Sequence, residues 1–208
     1  MIVIKDEFYP KPDEIREKAL AMFFRPGRRE RSTNFPGRRT MSTFSQENFI
    51  YCRNQWEHLL NAKMQYFPRG NSNTAFTLAL EEDADYNWVH HDCSGYLENT
   101  TSAMGGMAYA AVIYLNPEDD NTKGTALFRS KHTGLIKKSD SLKKPEFGFK
   151  QEWKEDKDWE LHTYVGNLYN RCILYPADYW HAPFCAGFGY NKDNGRLVQV
   201  GFFTINKK

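Results

Sequence analysis

The chain has 208 residues, of which 40% are hydrophobic, 15% aromatic and 26% charged, a size that buries a core without disulfide or metal staples and a composition outside the disordered and fibrous classes. Its 28 Lys and Arg against 26 Asp and Glu leave a net charge of +2, which gives no global reason to expect nucleic acid or a membrane surface as partner. Cys52, Cys93, Cys172 and Cys185 form no Cys-x-x-Cys pair, the start does not read as a signal peptide, and no run of residues is apolar enough to cross a bilayer, so the expectation is one domain over residues 1–208 in the cytoplasm.

In chain order, Ile2 to Ile4 reads as a short strand, Pro10 and Pro12 turn the chain, and Asp13 to Met22 carries acidic residues first and apolar ones at helical spacing, which predicts a helix. Between Arg25 and Thr40 the pattern breaks into Pro, Gly and Arg and predicts a basic loop. In it Arg25, Arg28, Arg29, Arg31, Arg38 and Arg39 oppose Glu30 alone, a local charge of +5. Such a loop is ordinarily a solvated surface; the alternative is that Arg38 and Arg39 close over a pocket and hold an anionic group of a substrate. A second amphipathic helix is predicted over about Gln46 to Asn61, with Phe49, Ile50, Trp56, Leu59 and Leu60 on one side.

Strands follow over Thr74 to Leu80, Tyr86 to Asp92, Met107 to Leu115, Thr125 to Phe128, Arg171 to Tyr175, Tyr179 to Phe184 and Arg196 to Ile205, each rich in β-formers and bounded by Gly, Pro, Asn or Asp. The polar, lysine-rich stretch 131–158 reads as a lid or insertion. The fold class expected is mainly β with N-terminal helices (α+β): a helical and basic part over about 1–65, then a barrel or jelly-roll core over about 66–208 buttressed by the helices.

The chemistry centres on Trp88-Val89-His90-His91-Asp92. On a strand His90 and Asp92 project from one face and His91 from the other. An imidazole and a carboxylate side by side offer two of the three ligands of a two-His-one-carboxylate iron(II) site, and His181, in a distant strand, is the best candidate for the third. On its own the pair more often describes a hydrogen-bonded core histidine beside an aspartate. Trp88 shares parity with His90 and Asp92, as Tyr179 does with His181, so both are candidates for a substrate pocket, although such aromatics are more often plain core. Arg196 opens the last strand, where its guanidinium either grips a carboxylate or lies in solvent at an edge. Tyr114 sits between apolar neighbours as an ordinary buried strand residue does.

In order, His90-x-Asp92, the strand Ile113-Tyr114-Leu115-Asn116, Gly124-Thr125-x-x-Phe128, Tyr175-Pro176-Ala177-Asp178 before Tyr179-Trp180-His181, and Arg196 before an apolar strand resemble the iron(II)/2-oxoglutarate-dependent oxygenases, most closely their prolyl 4-hydroxylase-like branch. The resemblance runs from about Thr74 to the C-terminus. It implies a double-stranded β-helix (a jelly-roll, cupin-like core), iron(II) on His90, Asp92 and His181, Arg196 on the distal carboxylate of 2-oxoglutarate and Tyr114 donating to the same group. The activity implied is that of an O2-using dioxygenase that hydroxylates a small molecule, an amino acid or a peptidyl side chain and releases succinate and CO2. Many such enzymes carry Ser or Thr two residues after the arginine, where this chain has Val198. The other readings are a catalytically silent cupin-like ligand-binding protein and a zinc hydrolase using the same three ligands.

Overall fold

The computed structural model describes residues 1–25, 37–67, 73–84, 89–93, 106–117, 120–138 and 157–206. Within them lie β1 (Val3–Lys5), α1 (Pro12–Leu20), β2 (Arg38–Arg39), α2 (Gln46–Leu60), β3 (Met64–Tyr66), β4 (Phe76–Ala79), β5 (Met107–Tyr114), β6 (Asp120–Ser130), β7 (Trp159–Asn167), β8 (Cys172–Pro176), β9 (His181–Pro183) and β10 (Arg196–Ile205). The protein is mostly β, its strand pairs are antiparallel, and no helix among the described residues is long and apolar enough to cross a membrane.

The strands form two sheets. The larger runs β1-β8-β5-β10-β4-β2, with β3 also pairing β10, and the smaller runs β7-β6-β9. An isolated antiparallel bridge between His90 and His181 adds the His90 segment beside β9. From β4 onward the chain therefore switches sheets repeatedly: β4 lies in the large sheet, the His90 bridge beside the small one, β5 in the large, β6 and β7 in the small, β8 in the large, β9 in the small and β10 in the large.

Alternation along β5 and β10 decides what each face of the large sheet packs against. Tyr109, Ile113, Leu115, Leu197 and Phe203 point to one side and join Ala19 of α1 and Cys52, Trp56 and Leu60 of α2. Ala110, Val112, Tyr114, Val198 and Val200 point to the other and meet Leu127 and Val165 of the small sheet. The helices thus cover the outer face, and the inner face is left for a second core and for the cavity described below.

Local chemistry fixes the helices. α1 starts on Pro12, with Asp13 and Glu14 in its first turn and Lys18 in its last, the order that complements the helix dipole. In α2 the Ser45 hydroxyl accepts from the Asn48 amide and Asn61 takes the left-handed conformation that ends the helix. Its buried stripe is Phe49, Cys52, Trp56 and Leu60, with Ile50 exposed, a narrower apolar face than the sequence predicts. Trp56 stacks on Phe203 with ring centroids 5.4 Å apart, and it can do so because Gly201 leaves room: a Cβ there would lie 2.3 Å from the Trp56 ring. Gly201→Ala is expected to lower stability by roughly 1–3 kcal/mol through overpacking. Chemical denaturation checks it, and an unchanged midpoint contradicts the packing account.

Several elements depart from the sequence reading. β2 lies inside the stretch predicted as loop, because Arg38 and Arg39 pair with Leu78 and Thr77 of β4. β3 and the nine-residue β7 have no counterpart in the predicted strands, and β6 is longer than predicted. Of the predicted strand Tyr86 to Asp92, the described part carries one bridge at His90 instead of a ladder. Trp88, residues 26–36 of the basic loop and residues 139–156 of the predicted lid lie outside the described residues.

Candidate metal centre

Three backbone contacts bring the predicted ligands together. His90 and His181 exchange N–H to carbonyl hydrogen bonds of 2.9 and 2.8 Å, and the Asp92 amide donates to Ala177 at 2.8 Å. The Asp92 carboxylate consequently lies 3.2 Å from His181 Nε2 and 3.8 Å from His90 Nε2, and one donor atom from each residue falls within 4.8 Å of the others. Donors about 2.1 Å from one ion at right angles stand about 3 Å apart, so the set needs a modest inward shift to close on a metal. His91 points the other way and meets Trp180 edge-on at 5.0 Å, as strand parity requires.

The His181 ring is held in one orientation. Its Nδ1 donates to the Tyr179 carbonyl at 2.9 Å, which leaves the lone pair of Nε2 aimed at the cluster. Burial alone would lower the His181 pKa, but the adjacent Asp92 carboxylate raises it. Burial likewise works against the charge on Asp92, and His181, His90 and Arg39 together hold its pKa below the usual carboxylate value. Two imidazoles and one carboxylate form a neutral-to-anionic donor set suited to a first-row divalent ion.

The cluster opens into a cavity of about 140 Å³ lined also by Arg39, Thr77, Val112, Thr125, Tyr175, Arg196, Val198, Val200 and Phe202. Arg196 is 5% exposed and its Nε is buried without a hydrogen bond. The groups acting on its charge are Tyr114, Cys185 and Tyr175, after burial, which pulls its pKa down. No carboxylate among the described residues pairs with it. Arg39 donates from Nε to Thr77 at 2.9 Å, and burial lowers its pKa to about 10 against the opposing charge of Asp92.

Other expected site residues fall differently. Tyr114 is fully buried behind the cavity wall; its hydroxyl shares a 2.7 Å hydrogen bond with Thr125, and burial pushes its pKa up to about 12. Thr125, not Tyr114, lines the cavity. Arg38 points away from it to Glu82, 3.0 Å distant. Tyr179 contributes its carbonyl to His181 and packs beside the inner core, while Tyr175, 4.8 Å from the His181 ring, takes the wall position. Thr77, Thr125 and Tyr175 had no role in the sequence reading. Thr125 lies in the Gly-Thr-x-x-Phe motif, which was its available signal; Thr77 reaches the site through cross-strand register, which leaves no local mark.

Among known structures the chain is similar to a Pseudomonas putida prolyl-4-hydroxylase, with 12% identity over 100% of this chain and 93% of that one and a TM-score of 0.44, too distant a likeness to bear on activity. No curated protein matches it. A family model, described as a family of unknown function (DUF6445), matches residues 1–203, and the chain belongs to that family.

Proposed function

We propose that this protein is an iron(II)- and 2-oxoglutarate-dependent dioxygenase, a hydroxylase built on a double-stranded β-helix. The observation that carries the reading is Arg196: a buried guanidinium without a carboxylate partner among the described residues, lining the same cavity as a two-His-one-carboxylate cluster. A cation so placed is costly without an anion, and 2-oxoglutarate brings one at the far end from the keto acid group that chelates a metal. The alternation of β4 to β10 between two facing sheets supports the fold assignment. Among the described cavity-lining residues Asp92 is the only carboxylate, and none of them offers the second acid that a zinc hydrolase would use as general base.

His90, Asp92 and His181 would hold the iron, which when bound supplies the oxidising chemistry that turns 2-oxoglutarate and O2 into succinate and CO2 with hydroxylation of a substrate. The chain's own work is binding and exclusion. Arg196 takes the distal carboxylate as a two-pronged donor, Val112, Val198, Val200 and Phe202 keep the wall dry, and Thr125 presents a hydroxyl that Tyr114 orients. Thr125 thereby replaces the hydroxyl absent at Val198. Thr125→Val is expected to raise the half-saturating 2-oxoglutarate concentration about 2- to 12-fold, the worth of one neutral hydrogen bond; no change removes Thr125 from the co-substrate site.

Purified protein with iron(II), ascorbate and O2 is expected to form succinate from 2-oxoglutarate. Failure to bind 2-oxoglutarate in the presence of a divalent metal overturns the assignment, and binding without any turnover favours the catalytically silent ligand-binding alternative.

A further inference from the structure

Tyr175 brings a polar group to the cavity wall. The residue is 2% exposed and lines the cavity, and among the described residues its hydroxyl makes no hydrogen bond. A buried hydroxyl left unpaired is unfavourable, which favours a partner supplied by a ligand. Register places this hydroxyl at one end of the cavity. Tyr175, Ala110 and Phe202 stand directly opposite one another across β8, β5 and β10, and residues in such a row share a face of the sheet. Arg196, Val198, Val200 and Phe202 alternate along that same face of β10, so the row of Tyr175 lies about 20 Å along the strand from Arg196, at ~3.3 Å per residue. The Tyr175 end is the metal end: its ring is 4.8 Å from the His181 ring, and the Asp92 amide donates to Ala177, just beyond Tyr175 in the chain. Charge agrees with register. Burial raises the Tyr175 pKa, and the Asp92 carboxylate adds to that rise more than Arg196 offsets it, whereas Arg196 is affected by Tyr114 more than by Tyr175.

An acid with one end on the metal cluster and the other on Arg196 passes Tyr175 at its metal end. We propose, resting on the co-substrate reading above, that the Tyr175 hydroxyl donates a hydrogen bond to the keto-acid end of 2-oxoglutarate, while Arg196 holds the distal carboxylate. Donation to a charged oxygen is stronger than donation to a neutral one, and a phenol on a ring already packed in the wall loses little freedom in making it. The two ends of the co-substrate are thus recognised by different residues. Tyr175 selects for 2-keto acids as a class, and Arg196 selects among them for a second carboxylate. A 2-keto acid that lacks the distal carboxylate therefore depends on Tyr175 and not on Arg196.

The test uses full-length protein loaded with cobalt(II), whose visible absorption shifts when a ligand joins the metal, and titrates it with 2-oxoglutarate and with pyruvate, so the readout is affinity and needs no turnover. Tyr175→Phe, which removes the oxygen alone, is expected to weaken both acids alike, by about 10- to 150-fold, the worth of one hydrogen bond to a charged group. Arg196→Leu is expected to weaken 2-oxoglutarate and to leave pyruvate as in wild type. The melting temperature of metal-free Tyr175→Phe should hold or rise, because the hydroxyl it loses has no partner in the free protein. Pyruvate affinity in Tyr175→Phe equal to wild type overturns the proposal: with 2-oxoglutarate also unchanged and a lowered melting temperature the hydroxyl is structural, and with 2-oxoglutarate alone weakened it belongs to the distal carboxylate. A wild type that binds pyruvate but not 2-oxoglutarate removes the co-substrate reading, and the pyruvate affinities still decide the role of Tyr175. A wild type that takes up cobalt(II) and binds neither acid overturns both.

Discussion

Asp92→Ala is expected to remove iron(II) from the purified protein and to reduce 2-oxoglutarate turnover by more than about 100-fold. Loss of a residue that merely supports a metal ligand costs 10–100-fold, and Asp92 is the sole carboxylate of the cluster, 3.2 Å from His181 and 3.8 Å from His90. Without it the two imidazoles present a neutral pair with one fewer donor, insufficient to hold a labile divalent ion against water. His91→Ala is the matched control: its ring faces Trp180 on the opposite side, so metal content should stay near wild type even if stability falls. Metal analysis after anaerobic loading reads both variants. Full iron occupancy in Asp92→Ala sinks the metal assignment.

The legible part of the fold is the part made of continuous runs of β-forming residues bounded by turn residues. β5 and β10 are such runs, buried on both faces with different partners for odd and even positions, and β10 has the bounds that the sequence predicts. β7 failed for a visible reason. Trp159 and Val165 are buried, but Leu161, of the same parity, is 41% exposed, and the register with β6 shifts between Leu127 and Phe128. An irregular ladder with polar residues between the apolar ones does not announce itself as a strand. β2 is hidden differently, since Arg38 and Arg39 have no intrinsic strand preference and pair only because β4 offers them an edge.

The candidate site divides along the same line. His90 and Asp92 were joined by two-residue parity, which needs no tertiary information, and His181 by its need for a partner. Arg39 is one of six arginines in its stretch, and composition does not separate it from Arg38; only the pleat, which turns one toward Glu82 and the other into the cavity, does so. Thr77 arrives by register across strands far apart in the chain, information that no window of sequence contains, whereas Tyr175 stands in the Tyr-Pro-Ala-Asp motif before His181.

Arg196→Leu is expected to move two measurements in opposite directions. In the free protein Arg196 is a buried cation with an unbonded Nε and no acidic partner among the described residues. Replacing such a charge by an apolar side chain is commonly neutral or stabilising by about 1–4 kcal/mol, so in a buffer free of carboxylate and phosphate the melting temperature should hold or rise. With 2-oxoglutarate the sign reverses. The lost carboxylate clamp should weaken binding by about 2–5 kcal/mol, or roughly 30-fold to several thousand-fold, and iron binding should be spared because His90, Asp92 and His181 are intact. A purely structural arginine gives the other pattern, a lower melting temperature with unchanged co-substrate affinity. Calorimetric titration of 2-oxoglutarate into the manganese-loaded variant, beside a thermal melt of the free protein, tells the two apart, because loss of a structural arginine lowers the melting temperature and leaves the binding, whereas loss of an anion seat lowers only the binding.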